Sequence, residues 1–223
     1  MSESSAAEAR ISPAEFHKAD GVADWRVTAT GPHGVFLATS FAQAASLVPV
    51  VVEAAKEHGV LPDVDVRPEA VIVRVPYPDF EGIPAGAVAF AATVSRAAKE
   101  LGLTAEPARA QSIGIYVAQH SATDVRPFFT AALGYRDFGD TDAVDPFRCG
   151  PQLAFNPIAG DTPGRGRTHF DVFVPADQAQ ARVDAAIAAG GRLVDDAHAP
   201  DWWSLASPDN HGVDIASWTD SYE

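Results

Sequence analysis

The sequence has little of what several protein classes require. A single cysteine, Cys149, stands among its 223 residues, so no internal disulfide can form. No apolar run is long enough for a transmembrane helix, because proline or a charged residue interrupts each candidate. Basic residues are few, since 16 Lys and Arg stand against 30 Asp and Glu and give a formal net charge of -14. Binding to nucleic acid or to an anionic membrane requires a basic face, so we expect neither partner.

What remains is the composition of an ordinary globular protein. Apolar residues make up 47% of the chain and charged residues 21%. Residues 1–11 are largely polar and lack the basic start and apolar middle of a signal peptide, so we expect a disordered tail and a cytoplasmic protein. The length exceeds that of one typical small domain and falls short of two large ones, and the order of predicted elements divides the chain into two domains.

The first of these domains spans residues 12–104. Ser12, with proline next and Glu15 at the third helical position, is typical of a helix start. The order of elements predicts an α+β domain with the sequence αββαββα, followed by a linker over residues 105–110. The predicted elements are a helix from Ser12, strands over Trp25–Thr30 and Gly34–Phe41 around a turn at Gly31–Gly34, a helix from Ser40 or Phe41 to near His58, strands over Asp63–Val66 and Val71–Val75, and a helix through Leu101.

The second domain, residues 111–219, contains the order strand, helix and up to three strands twice. The second copy opens on the segment Arg167–Pro175, which alternates polar and apolar residues as a strand does. His169, Asp171 and Phe173 therefore share one face. An imidazole and a carboxylate on the same side of a strand predict a face that meets water or a ligand.

Two further patterns bear on this domain. Trp202 and Trp203 are adjacent on a predicted strand, so one is expected to line the ligand-facing side and the other to pack under a helix. Asp140 and Asp142 are expected to lie on a solvated acidic surface.

The second domain resembles the glyoxalase-like branch of the vicinal oxygen chelate superfamily. The resemblance covers about residues 111–219 and implies a pair of βαβββ modules that curve into a cup around a small molecule, often with a divalent metal. The segments that carry it are Phe128–Phe129, Leu133–Tyr135, Gly150–Asn156, Arg167–Val172, Ala189–Gly191, Trp202–Trp203 and Ser207–Ile215.

The family's four metal positions fall near Ser112 and on Asn156, His169 and Asp214. Only His169 and Asp214 are strong ligands, and two strong ligands rarely hold Zn²⁺ or Fe²⁺ without a third. The resemblance therefore allows a divalent metal that this ligand set does not favour, and no cofactor is assigned. A histidine in a pocket or core, hydrogen-bonded to a neighbour, is the other interpretation of His169.

The resemblance also implies which residues line the cup. If the protein is an enzyme, it would be lyase-like or dioxygenase-like, with His169 as acid or base and Asp214 as its orienting or metal-binding partner. The family also includes metal-free binding and resistance proteins, which this ligand set fits better. The predicted ligand-binding residues are Tyr116, Phe155, Asn156, Asp171 and Trp202.

The first domain resembles pterin-4a-carbinolamine dehydratase, through Pro62–Arg67, Val71–Val73 and Gly82–Ile83. Dehydration of a carbinolamine needs a general acid and base, and no residue at the family's catalytic positions can serve as either. We expect the fold without the activity; the alternative is a true 4a-hydroxytetrahydrobiopterin dehydratase with rearranged residues. The catalytic positions of the dehydratase family fall on Gly59, Val60, Leu61, Pro68, Pro78 and Ala87.

Both resemblances imply a homodimer, since members of both families tend to pair strands or sheets between subunits.

Overall fold

The computed structural model describes residues 9–77, 82–120, 124–158, 168–206 and 212–218. The chain forms two compact units, one of Met1–Ala110 with Trp218–Glu223 and one of Gln111–Ser217. No helix within the described ranges is both long and apolar enough to cross a membrane.

The first unit places helices against an antiparallel sheet. Strands run in the order β2-β3-β5-β4, with β7 also paired to β3, and β1 pairs separately with β6. A short 3-10 helix covers Pro107–Arg109. The elements are β1 (Arg10–Ile11), α1 (Pro13–Lys18), β2 (Trp25–Thr28), β3 (Gly31–Leu37), α2 (Phe41–Ala45), α3 (Val48–His58), β4 (Asp63–Val66), β5 (Ala70–Arg74), β6 (Ile83–Pro84), α4 (Gly86–Glu100) and β7 (Thr104–Ala105).

The predicted start of the first helix is confirmed. The hydroxyl of Ser12 accepts a hydrogen bond from the backbone N–H of Glu15 at 3.2 Å, and the Glu15 carboxylate accepts one from the backbone N–H of Ser12 at 2.8 Å. This reciprocal pair satisfies two donors that the first turn would otherwise leave unpaired.

An aromatic cluster anchors the core of this unit. The Trp25 ring lies 6.1 Å from that of Phe36 and 6.0 Å from that of Phe90, both in edge-on geometry. The indole N–H of Trp25 donates to the Ser95 hydroxyl at 3.1 Å. The sheet and α4 are thereby joined through one buried side chain whose only polar atom is paired.

Two predictions for this unit are wrong in detail. The predicted Gly31–Gly34 turn lies inside β3, because Gly31 already pairs with Thr28 and the reversal occurs at residues 29–30. Gly31 has φ +113°, and a Cβ there would strike the Val75 carbonyl, so this glycine serves close strand approach. The helix predicted up to His58 is split into α2 and α3, because Pro49 lies in the first turn of α3 and could not continue a preceding helix.

The boundary between the units also differs from the expected one. The predicted linker at residues 105–110 is folded onto the first unit, since Ala105 pairs with Phe36 and the 3-10 helix follows. Trp218, expected in the second domain, belongs to the first unit, where its indole N–H donates to the Tyr77 hydroxyl at 3.1 Å.

The second unit contains the two predicted βαβββ modules. Among its described residues the strands form one sheet of eight, in the order β13-β14-β15-β12-β8-β11-β10-β9. Within each module the first strand pairs parallel with the last, and β8 and β12 join the modules antiparallel. The elements are β8 (Ser112–His120), α5 (Arg126–Leu133), β9 (Arg136–Phe138), β10 (Asp142–Val144), β11 (Gln152–Ile158), β12 (Thr168–Phe173), α6 (Ala176–Ala188), β13 (Arg192–Asp195), β14 (Trp202–Ala206) and β15 (Gly212–Ala216).

One face of this sheet packs under the two helices. Val183 of α6 lies in a buried cluster with Trp203 and Ile215, while Phe129 of α5 packs on a second cluster that includes Val117 and Phe155. Because side chains alternate along a strand, the residues next to these point to the opposite face. The side chains of the alternate residues therefore lie on the face that the two helices do not cover.

Candidate functional site

The candidate site lies where the two modules meet, on the face opposite the helices. His169 of β12 pairs with Tyr116 of β8, and Asp171 pairs with Gly114 on one side and with Asp214 of β15 on the other. Directly paired residues on neighbouring strands point to the same face. We call the surface formed by Tyr116, His169, Asp171 and Asp214 the polar face.

The imidazole of His169 is the centre of this group. Its Nδ1 lies 3.0 Å from Oδ1 of Asp171 and 3.4 Å from Oδ2 of Asp214. The Tyr116 ring lies 5.4 Å from the imidazole, tilted by 36°. The His169 side chain is 36% exposed and that of Asp214 is 17% exposed, so a ligand can reach both.

The two carboxylates control the charge of the histidine. Contact with the carboxylate of Asp171, and then with that of Asp214, raises the pKa of His169 to about 10, although burial acts in the opposite direction. Burial raises the pKa of Asp171, which the neighbouring His169 partly offsets. Burial and the negative charges of Asp171, Asp142 and Asp214 raise the pKa of Tyr116, so its phenol stays protonated.

One oxygen of Asp171 is incompletely paired. Asp171 is only 8% exposed, and its Oδ1, although 3.0 Å from Nδ1 of His169, accepts no hydrogen bond from the residues that the structure describes. Nδ1 of His169 and this oxygen form an ion pair, without the geometry of a good hydrogen bond. A buried carboxylate oxygen without a donor is costly, so the site is suited to a donor or cation supplied from outside.

Comparison with known proteins concerns the second unit. A family described as a glyoxalase-like domain matches residues 114–216. Residues 114–216 are a glyoxalase-like domain. None of the curated proteins compared with the chain matches it. Among solved structures, the chain is similar to a glyoxalase/bleomycin resistance protein/dioxygenase superfamily member from Vibrio splendidus 12B01, with 12% identity, a TM-score of 0.34, and coverage of 48% of this chain and 99% of that one.

The donor atoms of the glyoxalase-like domain suit a divalent metal better than the sequence predicts. Nδ1 of His169 and one oxygen each of Asp171 and Asp214 all lie within 4.8 Å of one another. Two ligands of one ion at about 2.1 Å are roughly 3.0–3.4 Å apart in octahedral or tetrahedral geometry, which matches the separations from Nδ1. One imidazole and two carboxylates are an acceptable set for Zn²⁺, Fe²⁺ or Mn²⁺.

Asp171 provides the third donor in that set. The family's metal positions do not include it, and the sequence predicts it only as a ligand-binding residue. The Ser112 hydroxyl is buried and has no hydrogen-bond partner in the described part of the chain, whereas Asn156 is exposed. The signal for Asp171 was its spacing of two from His169, which places both on one face of β12.

The remaining predicted ligand-binding residues are less central. Trp202 shares the side of the sheet with Asp214, since it pairs with Ala216, and its ring stacks on that of His198 at 3.9 Å. Asn156 lies on the same side, two residues along β11 from the partner of Tyr116. Trp203 is buried under α6, so the predicted separation of the two tryptophans is confirmed.

The structure does not bring Phe155 to the polar face. Phe155 pairs with Val117, is 2% exposed, and lies in the cluster under α5 with its ring 5.5 Å from that of Phe129. Its neighbour Asn156 points the other way, because adjacent residues on a strand cannot share a face. Phe155 thus stabilises the sheet on which the site is built.

The sequence missed the position of Asp142. Its expected place on a solvated surface is wrong, since Asp142 is 7% exposed and accepts hydrogen bonds from Thr141 at 2.7 Å and from the Gln152 amide. Asp142 pairs with Ala154, which pairs in turn with Tyr116, so the three share one side of the sheet. Only the strand pairing could reveal this, because no local pattern places β10 beside β11.

Proposed function

We propose that the glyoxalase-like domain binds a small organic molecule on the polar face. The observation that supports this most is the buried Oδ1 of Asp171, which accepts no hydrogen bond from the described residues, beside the partly exposed imidazole of His169. Small-molecule sites combine a few convergent polar groups with aromatic or apolar walls, and Tyr116 supplies such a wall.

His169 would be the main contact of the ligand. Its Nδ1 faces the carboxylates of Asp171 and Asp214, so we expect the second ring nitrogen, Nε2, to meet the bound molecule. The two carboxylates fix the orientation of the ring and hold the nitrogen in place before binding, which lowers the ordering cost of recognition.

A divalent metal at His169, Asp171 and Asp214 is the second candidate, and the mutual distances of the three donor atoms favour it. A bound ion would supply Lewis-acid chemistry to a ligand oxygen. His169, Asp171 and Asp214 would hold the ion, and the Tyr116 ring would lie on one side of it.

One experiment on the full chain distinguishes direct binding of an organic molecule from binding that depends on a divalent metal. The purified protein, before and after chelation, is analysed for metal by mass spectrometry and for small molecules by native mass spectrometry and solvent extraction. We expect a copurifying or added organic ligand to bind the chelated protein and to be lost in His169→Gln. Binding that requires stoichiometric metal would favour the second candidate, and binding that survives in His169→Gln would reject both.

A further inference from the structure

The charge of the sheet around the polar face is one-sided. The six inner strands, β14, β15, β12, β8, β11 and β10, contain no lysine or arginine, whereas Asp142, Asp171 and Asp214 lie on the side of the polar face. Within the described strands of this sheet, arginines occur only at positions 136 and 192, on the two edge strands. Among the described side chains of the inner strands, His169 is the one group that can balance three carboxylates.

The three carboxylates are not one compact cluster. Asp171 and Asp214 are direct neighbours, but Asp142 lies three strands from β12, roughly 14 Å away at about 4.8 Å per strand. Tyr116 lies between them, and the charges of both ends act on its phenol. A single metal ion cannot contact both ends, whereas an extended organic molecule can.

The single imidazole of His169 contacts Asp171 and Asp214 but leaves the three acids with an excess of negative charge. Asp142 accepts from a hydroxyl and an amide, and neither carries a positive charge. Oδ1 of Asp171 is buried beside His169 and accepts no hydrogen bond within the described ranges. Buried carboxylates favour a cationic partner strongly, because charged hydrogen bonds in a poorly solvated site are stronger than neutral ones.

Resting on the proposed function, we infer that the molecule bound on the polar face is an organic cation, a protonated amine or a guanidinium. Its N–H groups would donate to Oδ1 of Asp171, and its apolar body would lie over the ring of Tyr116, where an aromatic face attracts positive charge. Organic anions would be repelled by the same carboxylates.

The test is a thermal-shift and NMR screen of the chelated full-length protein. The library contains equal numbers of small aromatic cations, neutral molecules and anions, and includes tryptamine, tryptophol and indole-3-acetate as a matched set. We expect cations to bind about five times more often than anions, by electrostatic complementarity. Asp171→Asn should weaken the cationic hits by about tenfold, through loss of a charged hydrogen bond.

Asp140→Asn is the matched control. Asp140 is exposed, lies two residues from Asp142 and undergoes the same loss of charge, so cation binding should not change. If Asp171→Asn does not fold, the imidazole NMR signals of His169 in the unmodified protein must shift on cation binding.

Three other outcomes would contradict the inference. Hits that are mainly neutral or anionic and are lost in His169→Gln would overturn the charge inference and leave the proposed function standing. Cation binding that is equal in Asp171→Asn and Asp140→Asn would show general attraction to an acidic protein and overturn the inference. An absence of hits in every class would remove both.

Discussion

Asp171 and Asp214 lie directly opposite one another on the parallel strands β12 and β15, and Nδ1 of His169 lies within 3.4 Å of an oxygen of each. Like charges that face each other across strands destabilise a sheet. The imidazole offsets this repulsion, so the histidine has a structural role in addition to its proposed role in binding.

Loss of the histidine should therefore expose the repulsion. We expect His169→Ala to lower the free energy of unfolding of the glyoxalase-like domain by roughly 1–2 kcal/mol, a discounted value because the imidazole is partly solvated. Asp214→Asn in the same background should recover part of that loss, which a double-mutant cycle in urea measures. Strictly additive effects of the two substitutions would contradict the coupling.

Phe155 should affect stability and leave binding unchanged. Phe155→Leu removes part of a buried ring from the cluster under α5, and we expect a loss of roughly 1–3 kcal/mol in the free energy of unfolding. Tyr116→Phe is the comparison, since it changes the polar face and leaves that cluster intact. Measured under conditions where Phe155→Leu is folded, ligand affinity should be retained; a selective loss of affinity at full stability would place Phe155 in the site after all.

Much of this fold follows from local sequence signals. Apolar periodicity and the glycines that end helices predict both βαβββ modules, and Gly134 indeed follows α5 with φ +69°. The shared face of His169 and Asp171 follows from the strand period alone. The proximity of Asp214 came from the resemblance, because nothing local places β15 beside β12.

The wrong predictions concern residues whose position depends on how the strands pair. Phe155 and Asn156 are adjacent on one strand, so their alternation already excluded one of them from the polar face. Asp142 belongs to this side of the sheet only through β11, which separates it from Tyr116. The position of the turn before Gly31 depends on the close approach of Gly31 to Val75, a residue that lies far along the chain. Long-range packing of this kind leaves no periodic signal.

The first unit should show acid-dependent stability through His33. His33 is 5% exposed, and its Nδ1 lies 2.9 Å from the carbonyl oxygen of Gly31 and 3.3 Å from the hydroxyl of Thr28. Burial, followed by the positive charge of Arg74, lowers its pKa to about 4 from 6.5. The unfolded chain thus binds a proton at higher pH than the folded one.

Acid should destabilise the first unit, because the unfolded chain binds the His33 proton more tightly than the folded chain does. The stability that His33 contributes as a neutral group is complete above about pH 6.5 and is lost as the pH falls toward 4, by an amount on the order of 3 kcal/mol. Urea unfolding across this window, followed by tryptophan fluorescence, should show a steeper loss in the unmodified protein than in His33→Gln. Identical slopes in the two proteins would contradict a buried neutral histidine.

The first unit should not dehydrate a pterin carbinolamine. At the positions where the resembling family carries its acids and bases, Val60 is 3% exposed, Leu61 is 88% exposed and Ala87 is fully buried, and none of these side chains can move a proton. Pro78, a further such position, lies outside the described residues. We expect the full-length protein to leave the dehydration rate of a 4a-carbinolamine at its buffer value, measured by stopped-flow absorbance. The nearby His58 lies 3.4 Å from the Thr93 hydroxyl, so His58→Gln tests whether any residual rate comes from a rearranged histidine. A rate well above buffer that falls in His58→Gln would establish a dehydratase with relocated chemistry and reject the interpretation of this unit as a fold without that activity.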